Sequence, residues 1–323
     1  MKLRLILIGV VIATLIIFYE FVLPKNIKTV KIGFALQAQS HYGVSASRIK
    51  SELNESLDLK LFPNSILGSE REMIESLKLG TLDMAIVSTG ALQNFVPQVG
   101  VFDMPYLFRD IQHARSVLDD QIGNDMLKKI SREGVVALAW GEQGFRHLTN
   151  SKHPVQSFKD ARGLKIRTTQ NAIHIRAFKS MGFSPAPMSW TEVPSAMSQG
   201  VIDGQENSIS VMVSEKVYQY QKHLSLTAHF YAPAVILASE HFYDRLSEQK
   251  KEQVRKAAHL GAQQMRAFVD NMESKGLEKL RAEGMQVVTD VDKDSFAVPA
   301  RNDDLEYYKL FGKDLIEEIR AHP

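Results

Sequence analysis

From Thr29 to Val87 short apolar runs alternate with helical segments of about ten residues, and that rhythm restricts the fold more than any other feature of the chain. Thr29 to Ala35 alternates apolar with polar or small residues, as a strand does. A helix carrying Ala46, Ile49 and Leu53 follows, then a second strand from Leu57 to Phe62. Ser69 and Glu70 open another helix, through Met73, Ile74 and Leu77, that stops at Gly80, and Thr81 to Val87 reads as a buried third strand. Connections of this kind force parallel pairing with helices on both faces, so the fold class is α/β and doubly wound. Ligands of such sheets bind at the carboxyl ends of the strands.

The unit recurs. A helix, Gly80, two residues and Asp83 are matched later by a helix, Gly200, Val201, Ile202 and Asp203, which is followed by a polar loop. With 323 residues, the chain is long enough for two similar lobes at roughly 150 residues each. Ser247 to Gly284 contains no proline and is apolar at helical spacing. It is either one helix on the order of 55 Å long that bridges the lobes, or two helices bent at Gly276.

Lysine and arginine exceed aspartate and glutamate by only two, so no basic field exists for a nucleic acid. No cysteine is present, which removes disulfides, thiolate nucleophiles and cysteine metal sites. H-E-x-x-H, G-x-S-x-G, the Walker A loop and a strand-linked G-x-G-x-x-G are all missing. No catalysis, cofactor or metal is therefore expected. Glu70, Glu72 and Glu75 read as a solvated helix face. Lys2 and Arg4 precede an apolar run from Leu5 to Phe18, the form of an export signal over residues 1–23, either cleaved or kept as an anchor.

The middle of the chain carries the specific signals. Gly144 to Ser151 reads G-F-R-H-L-T-N-S, and Gly163 to Arg167 reads G-L-K-I-R. Ser184 to Met188 reads S-P-A-P-M, and Gln199 to Asn207 reads Q-G-V-I-D-G-Q-E-N. With Val101 to Phe108, these segments resemble the extracytoplasmic solute-binding subunits of tripartite ATP-independent periplasmic (TRAP) transporters over about residues 30 to 312. The resemblance implies a periplasmic binding protein-like fold, with two doubly wound lobes joined by hinge segments and a long helix. Lobe I is expected over 28–145 plus 233–272, and lobe II over 146–232 plus 273–323. It also implies a periplasmic location, a membrane permease as partner and a small organic acid as ligand.

Arg167 ends a short strand from Leu164, so its guanidinium is placed at the cleft, where a planar fork matches a carboxylate through two parallel hydrogen bonds. The resemblance implies that Arg167 clamps the ligand's carboxylate, with Arg146 as a second positive contact. Asn207 can donate and accept beside it, and Trp190 stands where the family carries an aromatic residue that covers the ligand. Ser88, Thr89 and His41 follow strands of the first lobe and suit hydroxyl recognition. Family members that bind sialic acid carry a glutamate and an arginine where this chain has Ser88 and Ala91, which points away from that sugar. The expected ligand is a hexuronate or aldonate sugar acid, or a C4-dicarboxylate. The rivals are a membrane-anchored sensor of such acids and an enzyme using Glu206 or His41 as base.

Overall fold

The computed structural model describes residues 29–323, and the expected export segment lies outside the described residues. Among the described residues no helix is long and apolar enough to cross a membrane. The strands are β1 (Val30–Phe34), β2 (Leu59–Phe62), β3 (Met84–Ser88), β4 (Val135–Asn150), β5 (Lys165–Thr168), β6 (Ser184–Pro187), β7 (Gly204–Ser208), β8 (His223–Ser239) and β9 (Gln286–Val288). They form one sheet in the order β2-β1-β3-β8-β4-β7-β5-β6, with β9 beside the start of β8. At one end β1 pairs in parallel with β2 and β3, and at the other β5 pairs in parallel with β6 and β7. The long strands β4 and β8 run antiparallel through the middle and join the two ends. The doubly wound halves expected from the sequence are thus stitched together by two strands.

Successive residues of a strand face opposite sides of a sheet, so each half buries two apolar layers. In the first half Ala85, Val87, Val235 and Leu237 face one core, and Met84, Ile86, Ala234 and Ile236 face the other. In the second half Leu148, Ile166 and Phe230 lie in one core, and Leu224, Ile202 and Met212 in the other. The repeated glycine–aspartate unit has a shared structural role. Gly80 and Gly200 adopt positive φ of 72° and 67°, which only glycine does without strain. Asp83 then accepts the Lys31 amide of β1 at 2.9 Å, and Asp203 accepts the Lys165 amide of β5 at 2.8 Å. Each aspartate bonds the neighbouring parallel strand rather than its own turn.

The helices that position the cleft are α1 (His41–Leu53), α2 (Glu70–Lys78), α3 (Ala172–Ser180), α4 (Ile209–Ser214) and α5 (Glu248–Ala282). Ser69 and Glu72 form the capping box that starts α2. α5 is one continuous helix of 35 residues rather than two consecutive helices. A Cβ at Gly276 would fall 2.6 Å from Ile209 of α4, and one at Gly261 2.6 Å from Ile49 of α1, so both glycines serve close helix approach. Val254 to Met265 of α5 pack in the first half and Leu280 packs in the second. Towards the carboxyl terminus Phe296 and Ala300 pack with Leu148 and Ile166 of the second half, whereas Tyr307, Ile316 and Ile319 join the first half's core, and the His113 ring lies 2.9 Å from the Ile319 carbonyl.

Candidate functional site

The carboxyl ends of β1, β3, β5 and β7 converge on a cavity between the two halves of the sheet. Ala35, Leu36, Tyr42, Glu70, Ser88, Gln143, Arg146, Arg167, Thr169, Trp190 and Asn207 line it. Arg167 lies on β5 between Ile166 and Thr168, and the N-cap of α3, Asn171, lies three positions beyond the strand. Arg167 is 4% exposed. Its Nε and Nη2 donate to the Met188 carbonyl at 3.1 and 2.8 Å, and its Cζ sits 5.7 Å from the centre of the Trp190 indole. Nη1 has no hydrogen-bond partner among the described residues. Burial lowers the Arg167 pKa to about 10, with the Glu206 charge opposing and the Arg146 charge adding to the fall. It remains a cation at neutral pH, next to a cavity and without an ion-pair partner among the described residues.

Arg146, expected as a second positive contact, lines the same cavity but is ion-paired. Its Nε and Nη2 donate to the two carboxylate oxygens of Glu206 at 2.5 and 2.8 Å. Nη1 donates to Asn207 Oδ1 at 3.0 Å. His229 Nε2 lies 3.3 Å from the same Glu206 carboxylate. Burial alone would raise the pKa of Glu206, but the Arg146 charge and the His229 bond hold it well below the usual carboxylate range. Arg146 therefore lines the cavity with its charge already met. Asn207, whose Oδ1 is engaged, keeps Nδ2 free toward the cavity among the described residues. The polar loop expected after Asp203 is the strand β7, wholly buried, where Arg146 meets the Glu206 carboxylate and Thr149 accepts from Gln205 Nε2.

Trp190 opens a 3₁₀ turn after β6, and its indole forms one wall of the cavity. Ser88 lines the opposite side, with its hydroxyl donating to Glu70 Oε2 at 2.8 Å and its amide to Oε1 at 2.7 Å. Glu70 was expected in solvent; instead it turns from the first residue of α2 into the cavity. Burial raises its pKa, against the two Ser88 bonds and the charges of Arg167 and Arg146. Tyr42 and Gln143, bonded to each other at 3.0 Å, complete the floor. No motif marked Glu70, Tyr42 or Gln143, although Glu70 directly follows the capping serine whose backbone fixes its direction.

Thr89 and His41 do not reach the cavity. Thr89 is turned to the far side of its helical turn, where it donates to Asp103 at 2.7 Å. His41 is buried on α1, edge-on to Tyr42 and 3.3 Å from the Ser210 hydroxyl. Burial lowers its pKa to about 3, so it is neutral.

His147, on the opposite side of β4 from Arg146, accepts the Ala228 amide at Nδ1, which requires a neutral ring. Burial lowers its pKa to about 3, with the His229 and Lys293 charges assisting. An unfolded histidine takes up its proton near 6.5, so the unfolded state gains protons first as pH falls. Stability from neutral His147 is complete above pH 6.5 and declines below it by about 1.4 kcal/mol per pH unit. His147→Gln, which retains an acceptor, is expected to flatten the pH dependence of urea unfolding between pH 6.5 and 4 by that slope. Parallel curves for the two proteins would contradict a neutral buried ring.

Residues 40–308 match the model of a bacterial extracellular solute-binding protein family, family 7. The fold superposes on a TRAP periplasmic solute-binding protein from Bordetella bronchispeptica with a TM-score of 0.89 and 52% identity, covering 92% of this chain and 99% of that one; its bound density is interpreted as pantoate. A TRAP periplasmic solute-binding protein from Polaromonas sp. JS666, bound to D-erythronate, gives a TM-score of 0.89 at 44% identity over 91% of this chain and 99% of that one. The 2,3-diketo-L-gulonate-binding periplasmic protein of Escherichia coli is 33% identical over 98% of this chain and 96% of its own.

Proposed function

Since this chain belongs to the family 7 solute-binding proteins, the extracytoplasmic subunits of TRAP transporters, we propose that it encloses a short hydroxylated monocarboxylate and presents it, unchanged, to a membrane permease. The observation that carries this reading is the buried Arg167 fork, which faces a cavity and has no carboxylate partner among the described residues. A buried cation is costly unless an anion meets it, and a ligand carboxylate supplies that anion with two parallel hydrogen bonds. Arg146 then acts as a neutralised donor that fixes Asn207, while Asn207 and Trp190 hold the body of the acid.

Glu70 selects the other end of the ligand. Its carboxylate repels a second carboxylate and accepts from hydroxyls, which favours aldonate-like acids over C4-dicarboxylates. Pantoate and D-erythronate, reported with the two similar structures, each carry one carboxylate, with two and three hydroxyls respectively. We assign lobe I to residues 29–145, 233–272 and 304–321, and lobe II to 146–232 and 273–303, with β4, β8 and α5 as the connections about which they close.

Thermal unfolding with D-erythronate, D-glucuronate or succinate tests the reading. A ligand at 100 times its dissociation constant adds about 2.7 kcal/mol of stability. One of the hydroxy acids is expected to raise the melting temperature at concentrations at least about tenfold below those succinate needs, a difference of ~1.4 kcal/mol. Preference for succinate, or an equal response to an uncharged sugar, would overturn it.

A further inference from the structure

Trp190 has a second relationship beyond the cavity. Among the described residues it is the only partly buried apolar side chain packed against core clusters from both halves of the sheet. One face stacks on Arg167. Burial raises the pKa of Glu215, the residue that ends α4, and the Gln37 amide and the Trp190 indole oppose that rise. Glu215 Oε1 in turn accepts the backbone N–H of Gln37 at 2.9 Å, across 178 positions of sequence. Gln37 directly follows Ala35 and Leu36, which line the cavity from the first half. Glu215 makes no ion pair among the described residues, so neutral donors alone hold this carboxylate, and one of them belongs to the opposite half. If the halves separate, the Gln37 N–H is withdrawn and water takes its place on the carboxylate, so the bond contributes only to the closed form.

We propose that Trp190 and Glu215 form a latch that closes when Arg167 is occupied: the indole rests on the filled guanidinium and offers its N–H to Glu215, whose carboxylate then grips the loop after β1. The latch rests on the carboxylate-binding reading given above. Glu215 touches no ligand and acts as a positioning residue. Opening the cleft breaks two links at once, the indole's packing on the first half and the Glu215–Gln37 bond. Affinity should therefore depend on a residue outside the cavity.

The chain has no cysteine, so nitroxides can be placed on Lys50→Cys of the first half and Lys179→Cys of the second, both exposed. Pulsed electron spin resonance then reports the distance between halves with and without saturating D-erythronate or D-glucuronate. In the otherwise unaltered protein the acid should shorten the distance. Glu215→Ala is expected to weaken acid binding about tenfold, as for one lost charge-assisted bond, and to leave a substantial open population at saturation. Its ligand-free melting temperature should be unchanged or raised, which separates a latch from a merely structural role. Trp190→Phe keeps the stack and removes the N–H, and should give a smaller shift in the same direction. It also serves if Glu215→Ala does not fold. If Glu215→Ala or Trp190→Phe binds and closes like the parent, the latch is wrong while the binding reading stands. If no acid closes the parent protein, the binding reading fails and the latch with it.

Discussion

Replacing Arg167 by methionine is expected to raise the stability of the ligand-free protein and to remove about 100-fold or more of its affinity, at least ~2.7 kcal/mol. The two effects have opposite signs for one reason. Arg167 is buried, is bonded only to the Met188 carbonyl, and is displaced by burial to a pKa near 10, so its charge is a liability until an anion arrives. Methionine fills a similar volume without a charge, as in other replacements of buried ions by apolar groups that are neutral or stabilising by about 1–4 kcal/mol. Arg167→Lys separates charge from geometry. Lysine keeps the cation but not the planar fork, so most of the affinity should still be lost while the protein folds. Urea unfolding and calorimetric titration with D-erythronate measure both quantities. A methionine variant that is less stable by several kcal/mol would place Arg167 in the scaffold rather than the site.

Glu206 should behave in the reverse manner. Removing its carboxylate as Glu206→Gln leaves Arg146, 3% exposed, without the charge that meets it. Breaking one side of a buried pair costs about 3–5 kcal/mol because the remaining ion is uncompensated. The variant also loses the link to His229. The pH sign is fixed by the same contacts. Glu206 is held ionised below its ordinary range, so its contribution is complete above the unfolded carboxylate's pKa and is lost as pH falls below that value. The Glu206→Gln protein should therefore be destabilised at pH 7 and converge toward the parent in acid. A loss under about 1 kcal/mol at pH 7 would mean that Arg146 finds water or another acceptor.

Arg167 and Glu206 together illustrate what the sequence could convey. Strand ends were legible, because alternation stops where the sheet stops. The placement of Arg167 at the end of β5 followed from G-L-K-I-R, with Asn171 as the next helix cap. The aspartates after Gly80 and Gly200 were legible as a repeated unit, but not their bonds to neighbouring strands, which depend on tertiary pairing. β7 escaped because four of its five residues are polar and the other is glycine; partners distant in sequence, Arg146, Thr149 and His229, make the burial of Glu206 and Gln205 tolerable. Ser88 and Thr89 are adjacent and chemically alike, yet only Ser88 reaches the cavity, since the chain turns into a helix between them. Glu70 looked solvated because charged residues at a helix start usually are, and its inward turn is set by the Ser88 donors. The carboxyl-terminal helix carrying Ile316 and Ile319 returns to the first half by apolar packing that linear order does not encode.

The most direct test is a crystal structure of the protein grown with D-erythronate, together with the same experiment on Arg167→Met. A carboxylate bound by the Nη1/Nη2 edge of the Arg167 fork, the edge turned away from the Met188 carbonyl, with hydroxyls directed to Glu70, is the expected result, and the cavity of the variant should hold no acid. An acid seated on Arg146 while Arg167 stays on Met188 alone, or one retained by the variant in the same pose, would contradict the assignment.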